Sequence, residues 1–279
     1  MQSGQPSRTA LGAAALRAAH QVLEHGRIFA DPLALRILGP DAESLVREAG
    51  DDPARRRLRL FIAVRTRFAE DALTASVARG VRQLVVLGAG LDTYAYRTAL
   101  GDRLRVFEVD HPATQAWKRQ RLTESSIALP SALSFAPVDF ERETLADGLA
   151  NAGFDPSTQT FFTWLGVVPY LSEDAVFSTL RFVAGLPGGA HVVFDYANPP
   201  STEHDGGADH EALAARVAAV GEAFKTYFES DVLSTRLAAL GFRGIEDLGP
   251  PQIASVYFPK RAGPARSRGG HIVRATTVA

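Results

Sequence analysis

The sequence contains no cysteine, and its 279 residues include a single methionine. Without thiols the chain can form neither disulfides nor thiolate metal sites, and we expect no metal site of another kind. A chain without disulfides also suits a reducing compartment, so we expect a cytoplasmic protein.

The sequence also lacks an excess of either charge and a long apolar run. The net charge is −1 and the isoelectric point about 6.7, which gives no overall attraction to nucleic acid or to an anionic membrane. No apolar run approaches the length of a membrane span, and residues 1–10 lack the charged start and apolar core of a signal peptide. We therefore expect a compact soluble enzyme that acts on a small molecule, with neither nucleic acid nor membrane as a partner.

Apolar strand-like segments alternate with amphipathic helical segments over most of the chain, which predicts an α/β fold with a doubly wound, Rossmann-like sheet. Residues 1–79 are predicted to form an N-terminal helical cap, and residues 80–279 the Rossmann-like domain. A polar insertion at about 197–228, between strands five and six, is the predicted lid. Seven strands are predicted at 83–88, 104–110, 133–139, 160–166, 190–195, 243–248 and 271–277.

A glycine turn follows the first predicted strand. Residues 84–87 are apolar without alternation, as in a strand that is buried on both faces of a parallel sheet. Gly88, Ala89 and Gly90 then break the strand, and the two glycines let the backbone pass close to a ligand. The pattern predicts a nucleotide-binding loop.

Acidic residues follow at the ends of the next two strands. Asp110 lies 20 residues after Gly90, the separation at which a carboxylate meets ribose hydroxyls in such folds, and Glu108 is the alternative ribose partner. Asp139, at the next strand end, could accept a hydrogen bond from an adenine amino group. The alternative is that these carboxylates only cap the helices that follow.

The residues after the glycines favour one cofactor over another. A dinucleotide-binding loop requires a small third residue against the strand, whereas this chain has Asp92 and then Thr93. A carboxylate beside a pyrophosphate is unfavourable, but it suits a cofactor with an ammonium group and a sulfonium. Asp92 therefore favours S-adenosylmethionine and methyl transfer over a nicotinamide cofactor and hydride transfer.

Arg65 lies on the apolar stripe of a predicted helix over 53–78. The stripe steps by three and four residues through Leu58, Ile62, Ala69, Ala72 and Ser76. An inward guanidinium is costly unless it is paired, so we expect Arg65 to bind the carboxylate of the cofactor's methionine part. The alternative is an internal ion pair with Glu70 or another acid.

Together these segments resemble the leucine carboxyl methyltransferase-like class I methyltransferases, which include polyketide O-methyltransferases. The resemblance implies cofactor contacts at Arg65, Gly88, Asp110, Asp139 and Phe140, and a mostly parallel sheet whose last strand is antiparallel. The segments that carry it are 27–34, 65–67, 85–97, 106–112, 138–140, 162–171, 224–228 and 240–242.

One position departs from the family pattern. Many relatives place a glutamate after the fourth strand, where this chain has Leu165 between Trp164 and Gly166. Leucine carries no charge and accepts no hydrogen bond, so any contact of that glutamate is lost or moved. Trp164 is counted among the expected cofactor contacts.

The methyl acceptor is expected to be a carboxylate or a phenolic or alcoholic hydroxyl of a small molecule, because a methyl sulfonium is already activated and requires mainly alignment. A hydroxyl acceptor benefits from a base, for which Tyr170, Tyr196 and His204 are the candidates. Alternative functions are a protein or peptide carboxyl methyltransferase, a nicotinamide-dependent oxidoreductase and a binding-only relative.

Overall fold

The computed structural model describes residues 7–50, 53–139, 143–199, 224–260 and 268–278. Its centre is one seven-stranded sheet in the order β3-β2-β1-β4-β5-β7-β6. Strands β1 to β5 pair in parallel, whereas β7 is antiparallel to both β5 and β6. The strands are β1 Gln83–Leu87, β2 Arg105–Asp110, β3 Leu133–Pro137, β4 Thr160–Trp164, β5 Ala190–Ala197, β6 Arg243–Leu248 and β7 Gly270–Thr276. The doubly wound, mostly parallel sheet predicted from the sequence is confirmed.

Helices cover both faces of this sheet. They are α1 Arg8–Leu23, α2 Ala42–Gly50, α3 Pro53–Ala78, α4 Tyr94–Arg97, α5 Pro112–Glu124, α6 Leu145–Asn151, α7 Glu173–Ala184, α8 Ser230–Ala239 and α9 Pro250–Tyr257. Several begin as their sequence predicts: Ser172 caps α7 by accepting a hydrogen bond from the Ala175 amide, and Pro112 occupies the first turn of α5.

The two faces of the sheet carry different cores. Val85 and Leu87 of β1 pack with α6, α7 and α8, whereas the alternate residues Leu84 and Val86 pack on the side of α3. Alternation along each strand sends successive side chains to opposite faces, and here both faces are covered, so the strand is apolar throughout. The order of residues within a strand therefore decides which layer each side chain enters.

The N-terminal helices form a third apolar cluster that reaches the sheet. Residues of α1 and α2 pack with Ile62 of α3, with Leu91 after the glycine turn and with Leu122 of α5. Helix α3 contributes to this cluster and, through Val64 and Leu73, to the sheet core. The predicted cap is thus joined to the β1 loop by direct packing. Within the described ranges, none of the helices has the length and apolarity needed to cross a membrane.

Candidate functional site

The glycine turn lies at the carboxyl end of β1, at the centre of the sheet. Gly88 and Gly90 have φ angles of 64° and 44°, a left-handed conformation that glycine adopts without steric cost. The Ala89 amide donates to the Val109 carbonyl oxygen of β2 at 3.0 Å, which ties the turn to the neighbouring strand. The predicted loop is therefore a fixed turn beside the ends of β2 and β4.

Asp110 holds this turn in place. Its Oδ2 accepts a hydrogen bond from the Gly90 amide at 2.5 Å, and its Oδ1 accepts one from the His111 amide at 2.7 Å. Burial raises the pKa of Asp110, while the two backbone donors act in the opposite direction. The carboxylate thus lies where the sequence places a ribose partner, and it also shapes the loop that would receive the cofactor.

Glu108 lies two residues earlier on the same face of β2, deeper in the protein. It is fully buried, with Lys118 Nζ 2.7 Å from Oε2 and the Tyr96 hydroxyl donating to the same oxygen at 3.0 Å. Burial raises the pKa of Glu108 to about 7, against the opposing effect of Lys118. These contacts make Glu108 part of an internal ion pair beneath the site.

Asp92 follows the turn, and its Oδ1 accepts a hydrogen bond from the Tyr94 amide at 2.8 Å. Together with Glu70 and Leu165 it lines a small cavity of about 20 Å³ between α3 and the ends of β1 and β4. A cavity of this size holds about one water molecule. Leu165, at the position of the family glutamate, therefore lines the same cavity as Asp92.

Arg65 is paired within the protein, and its partner is not Glu70. Arg65 Nη1 donates to Asp195 Oδ2 at 2.7 Å, and Asp195 Oδ1 also accepts from the Gly166 amide at 2.6 Å. Glu70 instead binds Arg97. Among the described residues, no group accepts a hydrogen bond from the buried Arg65 Nε. The internal ion pair that the sequence allowed for Arg65, with Glu70 or another acid, is therefore formed with Asp195.

Asp195 has no role in the sequence-based prediction, which assigned acidic residues only at or just after the ends of the first three predicted strands. It lies at the carboxyl end of β5, on the face that packs against α3, and its side chain is almost fully buried. A buried aspartate within a strand pattern is a usable signal, because such a charge requires a partner.

Two more predicted contacts, Asp139 and Trp164, lie in different surroundings. Asp139 follows β3, and its amide donates to Glu143 Oε2 at 3.0 Å. The Trp164 side chain points to the face opposite Leu165, where it packs against Phe194 and is 2% exposed. It therefore lies in the core on the α7 side of the sheet, away from α3. Phe140 lies outside the described residues.

The candidate bases differ in their surroundings. Tyr196 is part of β5 and is 1% exposed; its hydroxyl lies 2.8 Å from Ser230 Oγ, 2.5 Å from Asp247 Oδ2 and 3.1 Å from His271 Nδ1. Burial, reinforced by the bond to Asp247, raises the pKa of Tyr196, and this disfavours the phenolate that a base requires. Its predicted role as a base is therefore not supported by its position.

Tyr170 is half-buried in the turn after β4 and packs edge-on against Phe224 at 5.2 Å. The backbone of the following segment is joined to the same turn, since the Lys225 amide donates to the Pro169 carbonyl oxygen at 2.7 Å. Val167 in the same turn is the residue that a Cβ on Gly88 would meet, so this turn lies against the glycine loop. His204, the third candidate, lies outside the described residues.

A buried polar network fastens α1 to the loop after β1. Arg17 donates to the Leu91 carbonyl oxygen at 2.6 Å and pairs with Asp31 at 2.8 Å. Asp31 also accepts a hydrogen bond from the Thr93 hydroxyl at 2.7 Å. Arg17 therefore acts as a link between the cap and the loop. The sequence predicted no role for Asp31, although it lies in segment 27–34, one of those that carry the family resemblance.

Comparison with known proteins adds to this geometry. A family model described as leucine carboxyl methyltransferase matches residues 10–184. YktD of Bacillus subtilis, which is named as an S-adenosyl-L-methionine-dependent methyltransferase, is 35% identical over 200 residues, or 71% of this chain and 66% of that protein. A Streptomyces coelicolor protein named in the same way is 39% identical over 184 residues, or 62% of this chain and 63% of its own length. The chain thus spans slightly less than two thirds of these relatives. S-adenosylmethionine, the cofactor expected from the sequence, is the one in their names.

Comparison with solved structures concerns the fold alone. A protein of Bordetella parapertussis superposes with a TM-score of 0.53 at 16% identity, over 100% of this chain and 99% of that chain. Magnesium protoporphyrin IX methyltransferase from Synechocystis PCC 6803, solved with bound S-adenosylhomocysteine, has a TM-score of 0.48 at 12% identity, over 96% of this chain and 100% of that chain.

Proposed function

Because the chain belongs to the leucine carboxyl methyltransferase family, as the sequence resemblance predicted, we propose that it is an S-adenosylmethionine-dependent methyltransferase. The finer proposal is O-methyl transfer to a carboxylate or a phenolic or alcoholic hydroxyl of a small molecule. The observation that carries the cofactor assignment is the glycine turn at the centre of the sheet, with Asp110 bound to its Gly90 amide and Asp92 just behind it.

The charges around this turn support a cationic cofactor. Asp92 lies just after the glycines, and its carboxylate would repel a pyrophosphate at short range. A sulfonium and an ammonium group would instead be attracted. The charge of Asp92 therefore disfavours the alternative of a nicotinamide-dependent oxidoreductase.

The residues present also fit the amino-acid end of this cofactor. The buried Arg65 Nε has no acceptor among the described residues, and a buried donor in this state favours an acceptor from a ligand. In the proposed site Arg65 holds the methionine carboxylate, Asp92 the ammonium group, Asp110 the ribose hydroxyls and Asp139 the adenine amino group. Phe140 stays a proposed adenine-side contact by resemblance.

S-adenosylmethionine supplies a methyl group that is already activated by the positive sulfur. The chain therefore has to bind and orient the acceptor oxygen in line with that methyl carbon and to exclude water. In the proposed site Tyr170 and Phe224, whose rings pack edge-on, form an aromatic wall for the acceptor. A carboxylate acceptor requires no base, whereas a phenol would have its proton removed by Tyr170 or by His204.

A second candidate function is methylation of a protein or peptide carboxylate. The description of the matching family, leucine carboxyl methyltransferase, favours it. The two candidates share the cofactor site and differ only in the acceptor, so one binding experiment serves both.

Calorimetry with S-adenosylhomocysteine, and separately with NADH, tests the cofactor. We expect heat of binding with the first compound and none with the second; the reverse result would overturn the methyltransferase proposal. Incubation of the protein with S-adenosylmethionine and panels of small carboxylic acids, phenols and C-terminal peptides then tests the acceptor. A product heavier by one methylene in the small-molecule panels supports the finer proposal, and a methylated peptide alone would replace it with the second candidate.

A further inference from the structure

Three elements meet at one point of the carboxyl edge of the sheet. Arg65 comes from α3, Asp195 from the end of β5, and Gly166 from the residues just after β4. The carboxylate of Asp195 joins the other two, with 2.7 Å to Arg65 Nη1 and 2.6 Å to the Gly166 amide nitrogen. Both of its oxygens are therefore engaged, one by a side chain and one by the backbone.

The absence of a side chain at Gly166 leaves room for the guanidinium. The φ angle of Gly166 is 72°, and a Cβ built on it would come within 2.6 Å of Arg65 Nη2. A side chain at this position would therefore displace the guanidinium. Asp195 holds Nη1 by charge, and Gly166 provides the space that Nη2 occupies.

This arrangement leaves the edge formed by Nε and Nη2 for a ligand, because Asp195 engages only Nη1. Of these two donors Nε is buried, and within the described residues it has no hydrogen-bond acceptor. Without the carboxylate of Asp195, the flexible arginine side chain could adopt other rotamers, and binding would have to restore this one at an entropic cost.

We propose that Asp195 is the positioning residue of Arg65: it orients the guanidinium so that Nε can bind the carboxylate of the cofactor's amino-acid end. This inference rests on the proposed function, and it concerns a residue for which the sequence analysis gave no role. Asp195 touches Arg65 and Gly166, so it acts through these two residues.

The charge of the pair also selects for a zwitterion. Arg65 and Asp195 together are close to neutral, so a simple anion gains less from them than it would from an unpaired arginine. An amino-acid group, with a carboxylate near Arg65 and an ammonium group among the carboxylates, matches both charges. The pair therefore favours the amino-acid end of the cofactor over phosphate or a simple carboxylate.

The test compares two ligands that differ only in this end. S-adenosylhomocysteine carries the amino-acid group, whereas 5′-methylthioadenosine carries the nucleoside and sulfur without it. Asp195→Asn keeps the size of the side chain and removes its charge. We expect its affinity for S-adenosylhomocysteine to fall by about tenfold or more, as for the loss of one partner of a buried charge pair, and its affinity for 5′-methylthioadenosine to be unchanged.

Glu24→Gln is the matched control variant. Glu24 pairs with buried Arg59 in the helical cap at 2.7 Å, so its loss disrupts an ion pair of similar burial outside the site. We expect a lower melting temperature in both variants but a ligand-selective loss only in Asp195→Asn. In addition, Arg65→Met and Arg65→Met/Asp195→Asn should bind S-adenosylhomocysteine equally, because Asp195 acts through Arg65.

The outcomes separate this inference from the proposed function. A wild-type protein that binds neither ligand would overturn the proposed function and this inference with it. If the wild-type protein binds both ligands, three results would overturn the inference alone: Asp195→Asn binds S-adenosylhomocysteine as well as wild type, binds it more tightly, or loses both ligands to the same extent.

Discussion

Val167 occupies the space into which a side chain at Gly88 would project. A Cβ on Gly88 would come within 2.4 Å of Val167 Cγ2, and the φ angle of 64° at Gly88 is itself unfavourable for any residue with a Cβ. The turn after β4 is thus packed onto the turn after β1, and the glycine makes this contact possible.

Gly88→Ala should therefore destabilise the turn and weaken ligand binding. We expect a loss of about 1–3 kcal/mol in the free energy of unfolding and a weaker affinity for S-adenosylhomocysteine, because Val167 or the loop has to move. Chemical denaturation and calorimetry measure the two effects.

Gly101→Ala is the control for Gly88→Ala. Gly101 has a similar φ angle of 52°, but a Cβ there would meet nothing within 4 Å. In this variant the free energy of unfolding should fall only by the cost of a left-handed backbone conformation at alanine, with no change in ligand affinity. Equal losses of stability and affinity in the two variants would contradict the role of the Val167 contact.

The sequence predicted the sheet well because its central strands are buried on both faces and therefore read as uninterrupted apolar runs. It could not predict the partner of Arg65, because Asp195 is 130 residues away in the chain and the pairing depends on how α3 lies across β4 and β5. A buried guanidinium such as that of Arg65 requires an acidic partner, but the packing of α3 on the sheet determines which acid this is.

Tyr196 shows how a small error in a strand end changes a functional assignment. The predicted fifth strand ended at residue 195, which left Tyr196 in a loop, whereas β5 continues to Ala197. Within the strand, alternation sends Tyr196 to the face opposite Asp195, where its hydroxyl is bound by Ser230 and Asp247. Strand ends are the least regular part of an apolar pattern, so this displacement could not be read from the sequence.

Arg65→Ala should weaken binding of S-adenosylhomocysteine by about 1–3 kcal/mol, the range for hydrogen bonds to charged groups, and it should also destabilise the fold because Asp195 is left unpaired. Arg67→Ala on the same helix is the control, since the Arg67–Asp71 pair is about half exposed, with side-chain exposures of 51% and 57%. An exposed pair contributes little to stability. Calorimetry should show unchanged affinity for the control; unchanged affinity in a folded Arg65→Ala would remove the proposed carboxylate contact.

Asp110→Asn should weaken cofactor binding by two effects. The amide cannot accept hydrogen bonds at both positions now engaged by the Gly90 and His111 amides, and it removes the charge that the ribose hydroxyls would meet. We expect the loss for S-adenosylhomocysteine and 5′-methylthioadenosine alike, since both carry the ribose.

Asp155→Asn is a suitable control for Asp110→Asn. Asp155 also accepts a backbone hydrogen bond, from the Ser157 amide at 2.9 Å, but it lies in an exposed turn before β4. Its substitution should leave both affinities unchanged. If Asp110→Asn bound S-adenosylhomocysteine and 5′-methylthioadenosine with wild-type affinity, the ribose contact would have to be made by another residue. Glu108 is the sequence-based alternative.

His20 predicts a pH dependence of stability that arises in the helical cap. Its fully buried ring lies 3.1 Å from Glu24, with Arg59 and Arg27 as the nearby cations, and burial lowers the pKa of His20 below its ordinary value of 6.5. The unfolded chain therefore binds this proton at a higher pH than the folded chain does. The stability contribution is present above pH 6.5 and is lost as the pH falls towards the lowered pKa.

His20→Gln cannot titrate, so thermal unfolding between about pH 7.5 and 5 should show a steeper fall of the melting temperature in wild type than in the variant. His25→Gln, at an exposed position, should retain the wild-type slope. Parallel curves for wild type and His20→Gln would show that the buried imidazole does not govern this part of the pH profile.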